Sequence, residues 1–175
     1  MEPYTQTCFV ARDFERAIAS WTAIGAGPFY VPDLSKLPAD RKYRGSIARD
    51  VTLVARGFLG TTQIEIATPI NDEPSIFQEV LAARGEGLHH VMPSIQPTTP
   101  EQFDALSAKY EAMGLEAAYS MVVPWLGRVV YYDAFQKLGY FIELTERSEQ
   151  IHAASVEMYR AHLVWDGSDP IRLVK

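Results

Sequence analysis

Two stretches of this chain repeat one another, and that repetition constrains the fold more than any other feature. A run rich in β-branched and aromatic residues at 4–11 is followed by a helix signal at Asp13, and a similar run at 88–95 by one at Thr99. Asp13 is placed to cap Phe14, Ala17, Ile18, Trp21 and Ile24, which share one helical face, with Gly25 at the position of a C′ glycine. Thr99-Pro100-Glu101-Gln102 combines an N-cap, a first-turn proline and a capping-box glutamine ahead of Phe103, Leu106, Tyr110 and Met113. Each half ends on a matching strand, Ile64-Glu65-Ile66 within 62–68 and Ile142-Glu143-Leu144 within 140–145.

The pattern predicts an α+β fold: two tandem βαβββ modules forming a cleft of mixed β-sheet, with an additional C-terminal helix. The first module takes residues 1–72 and a linking segment takes 73–87, with Pro74 in the first turn of its helix and Gly85 at the end. The second module takes 88–146, and a C-terminal helix and tail take 147–175, all within one domain. Strands at 51–58 and 128–133 are well marked, and those at 29–31 and 117–122 are weaker. The basic stretch from Arg41 to Arg49 reads as a solvated loop, and a last helix is expected over 148–164.

Composition removes several function classes. Sixteen Lys and Arg stand against 22 Asp and Glu, a net charge of −6, and no basic run offsets it, so nucleic acid is not an expected partner. A single cysteine, Cys8, forbids an internal disulfide framework and suits a reducing compartment. No apolar run approaches the ~20 residues of a membrane span, and the first residues carry no signal-peptide pattern. A cytoplasmic protein acting on a small molecule is the expectation.

Strands bury one face, so ionisable residues within apolar strands need a reason. Period-two counting places Gln6 with Tyr4 and Cys8, Glu65 with Gln63 and Ala67, His90 with Leu88 and Met92, and Glu143 with Phe141 and Thr145. A pseudo-two-fold between the modules would turn Gln6, Glu65, His90 and Glu143 toward one cleft. Two carboxylates, an imidazole and an amide oxygen suit a divalent cation, which would also relieve the repulsion between the carboxylates. The competing reading pairs the glutamates with arginines and leaves His90 a satisfied core residue.

At this point the chain resembles a known family, the vicinal oxygen chelate superfamily of glyoxalase I, methylmalonyl-CoA epimerases, extradiol dioxygenases and bleomycin-resistance proteins. The stretch from Ile64-Glu65-Ile66-Ala67-Thr68-Pro69 through Arg84-Gly85-Glu86-Gly87-Leu88-His89-His90-Val91 is similar to the epimerases, and Gly139-Tyr140-Phe141-Ile142-Glu143-Leu144 to the family's last strand. The resemblance covers roughly 4–146. It implies that Gln6, Glu65, His90 and Glu143 hold one divalent metal ion per site, whether Zn, Ni, Co, Mn or Mg. Gln6 replaces the family's commoner histidine. Of the adjacent histidines, His90 has the matching strand phase, and His89 is expected on the opposite face.

A metal-dependent isomerase, epimerase or lyase follows from the resemblance, moving a proton next to the carbonyl of a small organic acid, thioester or ketone. Glu143 is expected as ligand and base, and Glu65 as ligand and catalytic partner, with the two interchangeable by the repeat. With one histidine in the set, iron-dependent oxygen chemistry fits poorly. Tyr4, Met92, Trp125, Arg128, Tyr131 and Phe141 are the expected substrate-binding residues. Related chains often pair modules across subunits, so a homodimer is also expected. The alternative is a metal-free protein that sequesters a hydrophobic compound in the same cleft.

Overall fold

The computed structural model describes residues 5–33, 38 and 40–174. Tyr4, expected in the pocket, lies outside the described residues. The first half contributes β1 (Thr5–Val10), α1 (Phe14–Ala23), β2 (Phe29–Pro32), β3 (Lys42–Tyr43), β4 (Ser46–Ile47), β5 (Thr52–Leu59), β6 (Thr62–Pro69) and α2 (Ile76–Arg84). The second contributes β7 (Gly87–Met92), α3 (Pro100–Ala112), β8 (Glu116–Val123), β9 (Gly127–Asp133), α4 (Phe135–Leu138) and β10 (Phe141–Thr145), followed by α5 (Glu149–Leu163) and β11 (Ile171–Val174).

The fold is the expected α+β, built on one mixed sheet in the order β11-β2-β5-β6-β1-β7-β10-β9-β8-β3-β4. Its centre is the antiparallel pair β1–β7, and on either side an opening strand runs parallel to its own half's last strand, β1 beside β6 and β7 beside β10. From that centre outward, β6-β5-β2 on one side mirrors β10-β9-β8 on the other. The repeat seen in the sequence is therefore carried through into strand order.

Period-two alternation sorts the helices between the two faces. On one face, Ile18 of α1 packs with Phe29, Ala55, Ile64 and Ile66, while Phe103 of α3 packs with Leu115, Tyr132, Ile142 and Leu144. Truncating a ring as enclosed as Phe103 costs about 3–5 kcal/mol. The inner face carries α2 at one end, where Ile76, Phe77, Val80 and Leu81 meet Cys8, Val10, Tyr119, Tyr131 and Phe141. At the other end Tyr159 of α5 closes over Phe58, Met92 and Ile95. The polar residues of the strands lie between these two apolar plugs.

Helix starts follow the sequence closely. Asp13 accepts from the Arg16 amide, and the Thr99–Gln102 capping box is complete. The start of α2 differs, because Ser75 is the N-cap and Pro74 lies just outside the helix. The stretch read as a solvated loop, Arg41 to Arg49, instead contains the β3–β4 hairpin. It turns through Arg44 and Gly45, with φ of 43° and 80°, and pairs with β8 through Lys42↔Ser120 and Tyr43↔Tyr119. Its arginine is not idle in solvent: Arg44 reaches Glu79, Glu116 and Asp133 at 2.6, 2.9 and 2.7 Å. The tail likewise forms β11, parallel to β2. Each outer edge of the repeated sheet is thus paired with short added strands, leaving as the new edges β4 of two residues and β11 of four, which blunts an open template for aggregation.

Candidate functional site

The four strand residues singled out by phase meet on the inner face. Gln6, Glu65, His90 and Glu143 are 1%, 2%, 0% and 5% exposed. Register explains the convergence: Cys8 on β1 lies opposite Glu65 on β6 and opposite His90 on β7, and His90 lies opposite Phe141 on β10. Glu65 Oε2 accepts from Gln6 Nε2 at 2.8 Å and from Arg56 Nε at 2.6 Å. Its other oxygen, Oε1, lies 3.5 Å from His90 Nε2. Glu143 Oε1 accepts from the Thr145 hydroxyl at 2.8 Å, and its Oε2 lies 2.9 Å from His90 Nε2.

Neither His90 Nε2 nor Glu143 Oε2 makes a hydrogen bond of acceptable geometry, although both are buried. Such orphaned atoms are rare in native interiors and call for an explanation. One ligand atom each from Glu65, His90 and Glu143 falls within a sphere where all lie within 4.8 Å of one another. A nitrogen and two carboxylate oxygens this close together suit a divalent cation of the first transition row. Gln6, hydrogen-bonded to Glu65, stands beside this set. Burial alone would raise the Glu143 carboxyl, but His90, Thr145 and Arg56 together hold it below the usual carboxylate range. Glu143 is accordingly an anion at neutral pH. Burial, reinforced by Glu65 and Glu143, keeps the Cys8 thiol protonated.

His89 departs from its expected position on the opposite face. Between Cys8 and Phe9 the β1–β7 register skips it, with Cys8 opposite His90 and Phe9 opposite Leu88. This bulge sets two residues of β7 against one of β1 and turns both histidines the same way. His89 stacks on Phe77 at 4.3 Å, and its Nδ1 lies 2.8 Å from the Nδ1 of His90. Burial, then His90, pushes its pKa far below the ordinary imidazole value, so the ring is neutral.

The expected substrate-binding residues divide. Met92 and Trp125 line a cavity of about 230 Å³ together with Gln6, Arg56 and Glu143. Tyr131 and Trp125 line a neighbouring space of about 120 Å³ that shares Arg56 with the first. Phe141 is on the right face but lies against the His89 ring, 5.4 Å between centroids, rather than in either cavity. Arg128 is a correction. It points to the α3 side, bonded to Asp104 and Glu146 and stacked over Phe103, because its strand phase is opposite to that of Tyr131. Sequence reasoning missed Arg56 and Arg147, both on cavity walls. The signal was present: Arg56 shares phase with Val54 and Phe58 inside an apolar strand, and Arg147 continues the inward series Glu143, Thr145.

Comparison with known proteins defines the class. The pattern of the Glyoxalase/Bleomycin resistance protein/Dioxygenase superfamily matches residues 5–132, and the chain belongs to that superfamily. No curated protein sequence matches it. Among solved structures it is similar to methylmalonyl-CoA epimerase from Mycobacterium tuberculosis, at 16% identity and a TM-score of 0.54, covering 86% of this chain and 91% of that one. A variant of the Streptomyces coelicolor methylmalonyl-CoA epimerase, in complex with 2-nitronate-propionyl-CoA, gives 16% and 0.58, covering 85% and 96%. A hypothetical protein from Bacillus halodurans gives 14% and 0.55, covering 83% and 94%. Likeness at such identity speaks for the fold alone.

Proposed function

We propose that the protein is a metal-dependent isomerase, epimerase or lyase that moves a proton at the carbon next to a carbonyl. The observation that carries this reading is the pair of orphaned atoms, His90 Nε2 and Glu143 Oε2, facing Glu65 in a buried cleft. Gln6, Glu65, His90 and Glu143 would hold the ion. When bound, a divalent cation polarises a substrate carbonyl and stabilises negative charge developing on its oxygen.

The residues themselves divide the labour unequally, despite the repeat. Glu65 Oε2 already accepts from both Gln6 and Arg56, which fixes that carboxylate in place. Glu143 Oε1 accepts from Thr145, while its Oε2, 2.9 Å from His90 Nε2, has no hydrogen-bond partner among the described residues. That leaves Glu143 as the base that takes the substrate proton and returns it, with Glu65 as the oriented partner. Burial between α2 and α5 keeps bulk water from competing for the proton.

The test is deuterium wash-in, in D₂O, across small organic acids, 2-hydroxy ketones and thioesters. Glu143→Gln is isosteric and is expected to retain the fold while lowering exchange by about 10²–10⁴-fold, as is typical for loss of a general base. Equal exchange by wild type and variant would transfer the role to Glu65. A second reading, a metal-free binder, draws on Glu65 being already satisfied by Gln6 and Arg56. It requires that no substrate exchange under any metal.

A further inference from the structure

The cavity holds a second cation, and no carboxylate among the described residues pairs with it. Arg147 follows β10 in the inward phase of Glu143 and Thr145, and it is 6% exposed. Its guanidinium donates to neutral oxygens: Nε to the Ile95 carbonyl at 3.1 Å, and Nη2 to the Ser155 hydroxyl at 2.7 Å and the Ile151 carbonyl at 3.5 Å. Among the described residues no carboxylate lies within 4.0 Å of it, and Nη1 has no hydrogen-bond partner. Its neighbours differ. Arg56 is matched by Glu65 at 2.6 Å, and Arg128 by Asp104 and Glu146.

A desolvated guanidinium without a counter-ion is costly unless something else supplies the charge. Burial, then the neighbouring Arg56, lowers its pKa to about 10, still protonated at neutral pH. Arg147 lines the same cavity as Gln6, Gln63, Arg56 and Glu143. Of the two carboxylates at the centre, Glu65 is matched by Arg56, and Glu143 is bonded to Thr145 rather than to Arg147.

We propose that Arg147 is an anion subsite, taking a free carboxylate of the substrate, and that the substrate is a small organic acid. Cavity size agrees with this. About 230 Å³ here, with about 120 Å³ in the neighbouring space that shares Arg56 and Trp125, puts the cleft at the low end of the roughly 300–1,000 Å³ of pockets that hold drug-sized ligands. The wall that restricts it is built by Ile151, Ala154, Ser155 and Met158 of α5 and by Val174 of β11. These elements lie beyond residues 5–132, where the superfamily pattern matches. The segment after β10 thus supplies the closing wall and, through Ser155 and Ile151, fixes the guanidinium that faces the cavity. This inference rests on the proposed function for the reacting group, but the subsite itself needs no metal.

Calorimetric titration with malonate and with its neutral diester, dimethyl malonate, tests it on the full chain after chelator treatment. Malonate is expected to bind at least about 10-fold more tightly than the diester, and Arg147→Met to lose about 10–100-fold in malonate affinity, with Arg147→Lys between them. Diester binding equal to malonate, or undiminished malonate binding by a folded Arg147→Met, would overturn the subsite. If Arg147→Met fails to fold, the acid–ester comparison on wild type decides alone. Deuterium exchange on neutral ketones without malonate binding sinks the subsite and leaves the proposed function standing. Malonate binding without any exchange does the reverse.

Discussion

His89 shows how one residue out of register changes the chemistry available to its neighbour. Its Nδ1 faces the Nδ1 of His90 at 2.8 Å, so one ring must donate and the other accept. Were His90 Nε2 to offer its lone pair to an ion, His90 Nδ1 would carry the proton and His89 would accept it, fixing the tautomer and the ring plane. His89→Gln therefore removes the group that orients His90. It is expected to weaken divalent-ion affinity by about 10–100-fold in a competition titration with a fluorescent chelator, a typical loss for a partner that orients a ligand. Unchanged affinity would mean that His90 is held without His89, by contacts such as that with the Tyr131 ring. Strand phase found Gln6, Glu65, His90 and Glu143 because alternation is a short-range rule that a sequence displays. It failed at His89 because a bulge is set by pairing between distant strands, which no local pattern reveals. Arg128 misleads for a simpler reason: it opens a strand that the sequence shows, but its phase is opposite to that of Tyr131, so it faces outward.

The β3–β4 hairpin and β11 are the elements least visible in the sequence. Two-residue strands carry no periodicity, and Arg44-Gly45 is a turn signal only once its flanks are known to pair. The hairpin is fastened by Arg44 to Glu79 on α2, Glu116 on β8 and Asp133 on β9, joining segments of both halves. Burial alone would raise the Glu79 carboxyl, but Arg44 and Tyr43 bring it below its ordinary value. A depressed folded pKa contributes stability above the unfolded value of about 4.3, and that contribution is lost as pH falls through the folded value. The stability difference between wild type and Glu79→Gln, from urea melts, is expected to be largest near neutrality and to shrink below about pH 4. Partial exposure of these groups keeps the effect to about 1 kcal/mol or less. A difference independent of pH would show that the ion pair contributes nothing.

At the scale of the whole molecule, the repeated sheet makes the cleft and the C-terminal extension closes it. The helix starts at Asp13 and Thr99, the main strands and the repetition of the halves were legible because caps, alternation and repetition are written locally. How the tail docks was not, since its contacts reach back across most of the chain. Trp165 packs where a Cβ on Gly27 would come within 2.7 Å of its ring, at a φ of 134°, and His162 Nδ1 donates to the Gly27 carbonyl at 2.7 Å. Gly27→Ala is expected to lower stability by about 1–3 kcal/mol and to speed proteolysis within 165–174. Proteolysis at the wild-type rate would mean that β11 pairing alone retains the tail.

The central claim is that Gln6, Glu65, His90 and Glu143 form one divalent-metal site, and its most direct test is stoichiometry. Protein is dialysed in turn against Mn²⁺, Co²⁺, Ni²⁺ and Zn²⁺, freed of unbound ion, and subjected to elemental analysis. The expected result is about one equivalent per folded chain for at least one ion, and less than about a tenth for the His90→Gln/Glu143→Gln double variant. Less than about a tenth of an equivalent in wild type with every ion, or equal retention by the double variant, would contradict it.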